Sequence, residues 1–598
     1  MSSPDPYLWL ENIESKRVRK WAISRSVKCM ARLRPLSSKI APQFSQIYDV
    51  PTVMQVKVTP RGVFFLERRE GFYSIRLDQE TVVSSHDLGP DYVILYFYTD
   101  ETGEKLAYFF SKGEDEGTMR IIEVDSRKVT AEVRGSISSV VFLRDGFYYV
   151  KSFREGSTPD GTKAPASRVM RGDRIVFGEG IPTAHSIGIE ASHGKVLVTI
   201  HEWSKTDVYF GDISDPRSWK KVYGGDFLSY PISYSNGALY ILSYEGQGYG
   251  RILQDGDVVV GESKELILGA AVVSDDIVVN YLKDCASHLR VVGKDGRERY
   301  SFEPPFKSTV EHMDSDDKRA VIVAASFGVP YVIYEFRRGS FREIDKLVVE
   351  DLDIREGFVR SRDGTKVHYF EFGKKEGPVL AYGYGGFSIS RSPTYDPILT
   401  QLARIGVTCV VANLRGGNEY GEQWHRAGKR EKKQNVFNDF MAVIEKFKKA
   451  GNRLAVFGRS NGGLLVGAVL TQRPELLDGA VIGYPVLDML RFHRLSVGRY
   501  WVDEYGDPDN PQDRRFLRKY SPYHNVRKAR YPPTLIYTSM HDDRVHPGHG
   551  LKFAAMLEKN GADVCLRVQA KGGHLGSSPL TRIKELSDVV AFVERSLF

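Results

Sequence analysis

Between Pro51 and Leu347 the chain is written in short β-branched and aromatic runs punctuated by Gly, Asp, Asn and Ser, and almost no helical pattern there outlasts two turns. A stretch of about 300 residues with that texture has only other strands to bury its strands against, so an all-β region is expected. Opening strands are expected near Val53, Tyr92, Val140, Ile187, Leu228, Leu266 and Arg319. Their spacing of roughly 40–50 residues is close to the four-strand period of a propeller blade, which predicts seven blades. No signature dipeptide repeats, and a pair of split sandwiches is the alternative.

The flanks read differently. Tyr7, Leu8, Leu10, Ile13, Val18 and Trp21 lie at helical spacing, predicting a helical lead-in before the segment that contains Pro35 and Pro42. Beyond Leu347, apolar strand patterns such as Thr408–Asn413 alternate with helical ones such as Phe437–Lys449. That texture predicts a mostly parallel sheet covered on both faces by helices, with ligands outside the carboxyl ends of its strands. The expected division is 1–48, a helical segment belonging to the last domain; 49–347, the propeller; and 348–598, the α/β domain.

Charge narrows the partners. Lys and Arg number 84 against 76 Asp and Glu, a net +8 spread over 598 residues with no dense basic block, so nucleic acid is not an expected partner. No stretch of about 18 apolar residues occurs and the N-terminus has no apolar signal core, so a membrane is not expected either. Cys29, Cys285, Cys409 and Cys565 form no CxxC pair and read as buried thiols in a reducing, cytoplasmic setting.

Chemistry concentrates in the α/β part. Leu454 to Gly463 runs from a buried-strand pattern through Gly458-Arg459-Ser460-Asn461-Gly462 into a helical run. A G-x-S-x-G between strand and helix presents its serine on a strained turn with a helix N-terminus facing any oxyanion; the competing reading is a Gly-rich helix start capped by Ser460. A hydrolase triad then requires an acid after a later strand and a histidine nearer the C-terminus. Asp542, with Asp543 as competitor, follows the strand at Leu535–Thr538, and His574 lies in a glycine-flanked loop. Asp542 would hold the His574 tautomer and His574 would take the Ser460 proton. His541, Asp542, Asp543, His546 and His549 also crowd nine positions and suggest a metal cluster, but that reading leaves Ser460 and His574 unexplained.

Several stretches together resemble the prolyl oligopeptidase family of serine peptidases: Asp5-Pro6-Tyr7-Leu8-Trp9-Leu10-Glu11, Tyr382-Gly383-Tyr384-Gly385-Gly386-Phe387, Ala412 to Glu422, the elbow, Gly498-Arg499-Tyr500-Trp501, Tyr505-Gly506 and Asp542-Asp543-Arg544-Val545. The length is what is expected of an archaeal or bacterial member. The resemblance implies an α/β-hydrolase domain capped by a seven-bladed propeller, with Asp542 as the acid. It implies the Tyr384 hydroxyl and the Asn461 backbone N–H as oxyanion donors, Arg544 as a substrate anchor, and Trp501, Phe387, Tyr505 and Val545 as walls of a proline pocket. It further implies a monomer that cleaves short proline-containing peptides after proline, the propeller limiting substrate size, without cofactor or metal. Rivals are an acylaminoacyl peptidase, a basic-residue oligopeptidase, an esterase and an inactive scaffold. The chain departs from the family pattern at Arg459, where Gly is expected and a long cation crowds or charges the elbow, and in the loop Gly572-Gly573-His574-Leu575-Gly576-Ser577-Ser578.

Overall fold

The computed structural model describes residues 5–89, 91–202, 204–570, 572–574 and 578–598. Strand patterns between Thr52 and Leu347 resolve into antiparallel meanders in which each strand hydrogen-bonds to the next. Five of them are separate four-stranded sheets, beginning at Thr52, Ser186, Ser229, Leu266 and Thr309. The sixth has seven strands, from Val93–Thr99 to Arg174–Phe177. This corrects the expectation of seven separate four-stranded units. The 15-residue strand Val129–Leu143 is continuous, pairing with Gly117–Glu123 as far as Gly135 and with Gly146–Phe153 from Ser136 onward. The ring closes where Thr309–Ser315 packs against Thr52–Thr59. Valines 53, 56 and 58 meet Val321, Val323 and Ile333 across that seam, and Asp314 accepts the Val58 N–H at 2.6 Å.

The second layer system is an eight-stranded sheet. Its spatial order is Arg355–Arg360, Lys366–Gly373, Thr408–Asn413, Val379–Tyr382, Leu454–Arg459, Gly479–Gly483, Thr534–Ser539 and Val564–Gln569. The first two pairings in that order are antiparallel, and every pairing from Thr408–Asn413 onward is parallel. Two large apolar clusters cover its faces, one of them containing the helix Gln434–Lys449 and the other the C-terminal helix Pro579–Leu597.

The N-terminal helix overturns one expectation. It runs Lys16–Tyr48, straight through Pro35 and Pro42. Val18, Ala22, Ser26, Cys29, Leu33, Ser37, Ile40, Phe44 and Ile47 form a buried stripe at steps of three and four, whereas both prolines are exposed. On that face the carbonyls left without a donor by proline are open to solvent, so the breaks are tolerated. The cysteine reading is also corrected: Cys29 and Cys565 form a disulfide, Cα atoms 4.9 Å apart, while Cys285 and Cys409 are the buried free thiols. Spacing along the chain hid this pair because 536 positions separate two residues that helix and edge strand place side by side. Among the described residues no helix is long and apolar enough to cross a membrane.

Candidate active site

The strand Leu454–Arg459 ends on Ser460, which adopts φ 56° and ψ −119°, and the helix Asn461–Gln472 begins at once. A left-handed backbone at a serine is strained, and the surrounding glycines are required by space. A Cβ on Gly458 would stand 2.1 Å from the Gly462 carbonyl oxygen, and one on Gly463 would stand 2.6 Å from Pro485 Cβ. Ser460 occupies the capping position but its side chain makes no capping bond. The helix-cap alternative therefore leaves Oγ unexplained, and Oγ instead lies beside the Tyr384 hydroxyl.

Asp542 follows the strand Thr534–Ser539 and is buried. Its Oδ1 accepts the backbone N–H groups of Arg544 at 3.1 Å and Val545 at 2.8 Å, and its Oδ2 is 2.8 Å from His574 Nδ1. Asp543 points elsewhere: it accepts the Asp115 N–H from the propeller at 3.0 Å, and burial pushes its carboxyl up to about 6. Of the two candidate acids, Asp542 is the one whose carboxylate meets His574. His574 sits edge-on to Tyr484, and Lys571 and Leu575–Ser577 of its loop lie outside the described residues.

Among the described residues, His541, His546 and His549 do not converge as a ligand cluster. His549 is buried, accepts the Leu487 and Asp488 N–H groups at Nδ1, and is kept neutral because burial lowers it to about 3. His546 Nδ1 accepts the Gly548 N–H, and His541 is exposed. Among the described residues, ligand-type atoms converge at His493, Asp507 and Asp509, and at Asp5, Glu11 and Asp488, where the Lys552 ammonium already bonds all three carboxylates.

Ser460, His574, Tyr384, Trp501, Tyr505, Phe387 and Arg544 line one cavity of about 740 Å³ between the two domains. Trp501 is 7% exposed and belongs to the core as well as to the wall, and Phe387 packs edge-on against Tyr505. Burial pushes the Tyr384 hydroxyl up to about 12, so it remains a donor at neutral pH. Val545 is not among the residues lining this cavity; it is buried in the same cluster as Trp501 and Tyr505, and its N–H serves Asp542. Arg544 is tied to the propeller, donating through Nε and Nη2 to Asp115 at 3.1 and 2.6 Å, while Arg154 donates to the same carboxylate at 2.5 Å.

Sequence reasoning missed a buried network behind these residues. Asn461 Nδ2 donates to the Tyr384 carbonyl at 2.6 Å and the Tyr505 hydroxyl donates to Asn461 Oδ1 at 2.9 Å. Lys433 Nζ bonds the Gly385 carbonyl and Glu504, and His425 bonds the other Glu504 oxygen at 2.7 Å. Burial opposes ionisation of Glu504, but Lys433 and His425 hold its carboxyl down at about 2. Asp115 carried no signal in its own segment, since its partner is 429 positions away.

Comparison with known proteins accords with this geometry. The prolyl oligopeptidase N-terminal β-propeller domain matches residues 2–340, and the prolyl oligopeptidase family matches residues 393–597. A prolyl endopeptidase of Elizabethkingia miricola is 26% identical over 98% of this chain and 92% of its own length. Prolyl oligopeptidase A of Amanita bisporigera is 42% identical over 41% of this chain, a match spanning 35% of that protein. A solved structure from a study of two prolyl endopeptidases and their inter-domain dynamics superposes with a TM-score of 0.92 at 27% identity, covering all of this chain and 97% of the other. Oligopeptidase B of Leishmania major shares the fold alone, with a TM-score of 0.86 at 19% identity over 99% of this chain and 94% of that one. With propeller and hydrolase halves both matched, the chain belongs to the prolyl oligopeptidase family of serine peptidases.

Proposed function

We propose that this peptidase cuts short peptides on the carboxyl side of proline through an acyl-enzyme. Ser460 Oγ attacks the proline carbonyl as His574 takes its proton, with Asp542 holding His574 Nδ1–H. The Tyr384 hydroxyl and the Asn461 N–H receive the oxyanion. His574 returns the proton to the leaving amine, and water repeats the sequence on the ester. Arg544 anchors a peptide carbonyl, Asp115 fixing the plane of its guanidinium.

The observation that carries the specificity is the aromatic wall of Trp501, Phe387 and Tyr505 beside Ser460, which offers a flat apolar face to a rigid ring. A pocket for basic residues needs an uncommitted carboxylate. Asp115 is spent on Arg544 and Arg154, Glu202 on His185 and Lys205, and Glu504 on Lys433 and His425. Seven strands succeed one another round the ring, two of them from the fused sheet, which supports reading that sheet as two blades; on this reading enclosure of the site beneath the ring limits substrates to short chains. The test is a panel of chromogenic dipeptides with Pro, Ala, Arg or Phe at P1, run beside labelling with an irreversible serine-directed reagent. Preference for Pro with labelling at Ser460 is expected. Equal turnover of Ala or Arg substrates overturns the proline reading, and absence of labelling overturns the enzyme.

A further inference from the structure

Behind the nucleophile lies a second cavity of about 510 Å³. It shares only Met54, Tyr384, Ser460 and His574 with the aromatic cavity among the described residues, so the reacting groups stand between two chambers. The second chamber is cationic: Arg68, Arg391, Arg459 and Arg582 line it, against one carboxylate, Asp396. That carboxylate caps the helix Pro397–Arg404, accepting the Ile398 and Leu399 N–H groups at 2.8 and 3.2 Å, and its charge also acts on Arg459 and Arg391, so it offsets one of the chamber's cations. Arg582 pairs with Glu585.

Among the described residues, the other three form no ion pair with a carboxylate, and each holds a buried Nε to which no acceptor is supplied. Arg68 spends Nη2 on neutral oxygens, the Tyr48 carbonyl at 2.8 Å and the Thr52 hydroxyl at 3.3 Å. Aromatic rings steady all three, with Arg68 over Tyr48 at 4.0 Å, Arg391 over Tyr384 at 4.3 Å and Arg459 over Tyr484 at 5.2 Å. A ring face holds a guanidinium but does not neutralise it. Three such charges kept together beside a nucleophile, without a paired carboxylate, form a ready site for an anion of planar, bidentate shape. Arg459 is also the residue immediately before Ser460, and an elbow needs no arginine to make its turn.

We propose that this chamber is the leaving-group subsite and that it selects a carboxylate just beyond the scissile bond. The inference rests on the proposed cleavage after proline: if the acyl part lies against Trp501, the departing amine and the residues beyond it face the arginines. The carboxylate is either the C-terminal α-carboxylate of a short peptide or an Asp or Glu side chain. The chamber thereby favours cleavage that releases a short, negatively charged C-terminal fragment.

The test compares kcat/KM for benzyloxycarbonyl-Gly-Pro-Leu as free acid and as amide, and for benzyloxycarbonyl-Gly-Pro-Asp-amide against the Asn-amide. The first pair reads the α-carboxylate, the second the side chain. In at least one pair the anionic member is expected to be favoured by about tenfold or more at low salt, as for a charge-assisted hydrogen bond, and the ratio is expected to shrink in about 0.5 M KCl. Arg459→Gly, with Arg391→Leu as an independent second variant, is expected to bring that ratio to within about threefold of unity. No anionic preference in either pair, or a preference that survives both variants, overturns the proposal. Failure of every proline substrate while the matching alanine series turns over refutes the proline reading instead, and the acid-to-amide ratio is then read on alanine.

Discussion

Asn461 has two parts to play in the proposed mechanism. Its backbone N–H is the proposed oxyanion donor, while its side chain ties the carbonyl of Tyr384 to the hydroxyl of Tyr505 on the aromatic wall. Donor and wall are therefore one rigid body, and substitutions should separate their contributions. Ser460→Ala is expected to lower kcat by roughly four to six orders of magnitude with the fold retained, as judged by circular dichroism and stopped assays. Tyr384→Phe should cost about 3–4 kcal/mol of transition-state stabilisation, seen in kcat; a change confined to KM would make Tyr384 a binding residue. Trp501→Ala should forfeit about 1–3 kcal/mol with proline substrates and much less with alanine, collapsing the preference between them. Equal losses on both would leave Trp501 as core alone. The candidate nucleophile and base were legible in the sequence because each sits in a short segment of strand, turn and glycines, whereas preferring Asp542 to Asp543 rested on the family resemblance. Val545 shares its buried cluster with Trp501 and Tyr505, but adjacency to Arg544 could not foretell that its N–H turns to Asp542. Asp115 and Arg154 were invisible, since their meaning depends on partners from another domain.

At the scale of elements, packing overrode local rules twice. Proline usually marks the end of a helix, but the N-terminal helix carries its two on the exposed side and keeps an unbroken buried stripe. That stripe closes an open sheet edge. Ser26 Oγ both donates to the Val568 carbonyl and accepts the Val568 N–H, and Arg25 and Arg32 pair with Glu558 and Asp563 around the disulfide. Cys29→Ser is expected to lower unfolding stability by about 2–5 kcal/mol, measured by denaturant melts with and without reductant; identical melts would mean the helix is held by packing alone. The segment Glu422–Arg426 makes a different prediction. Burial opposes the charge of His425, but Glu504 and Glu422 raise it to about 9, above the ordinary 6.5. A histidine raised on folding adds stability that is complete below its unfolded value and is lost as pH climbs toward 9. The urea midpoint should therefore fall between pH 6.5 and 9 in the parent and change less in His425→Asn; parallel curves would place the titration elsewhere.

The whole molecule is a sandwich of two domains with the chemistry in the seam. Residues 113–115 of the propeller reach both catalytic loops: a Cβ on Gly573, next to His574, would stand 2.4 Å from the Gly113 carbonyl, and the Asp115 N–H meets Asp543. On the far side, Lys57 bonds Asp314 at 3.0 Å and Glu190 at 3.4 Å, joining three separate sheets. A short proline peptide should be cut well, and the same sequence displayed on a folded carrier should resist by at least about a hundredfold in kcat/KM, an estimate scaled to the loss of near-attack positioning. Comparable rates would show that the ring filters nothing. The covalent tie between Cys29 and Cys565 has a further meaning at this scale. It turns all but the two ends of the polypeptide into a macrocycle spanning propeller and hydrolase alike. A protease that nicks any one bond within it opens the circle without releasing a piece, so the two products would travel as one band on a non-reducing gel and part only when thiol is added.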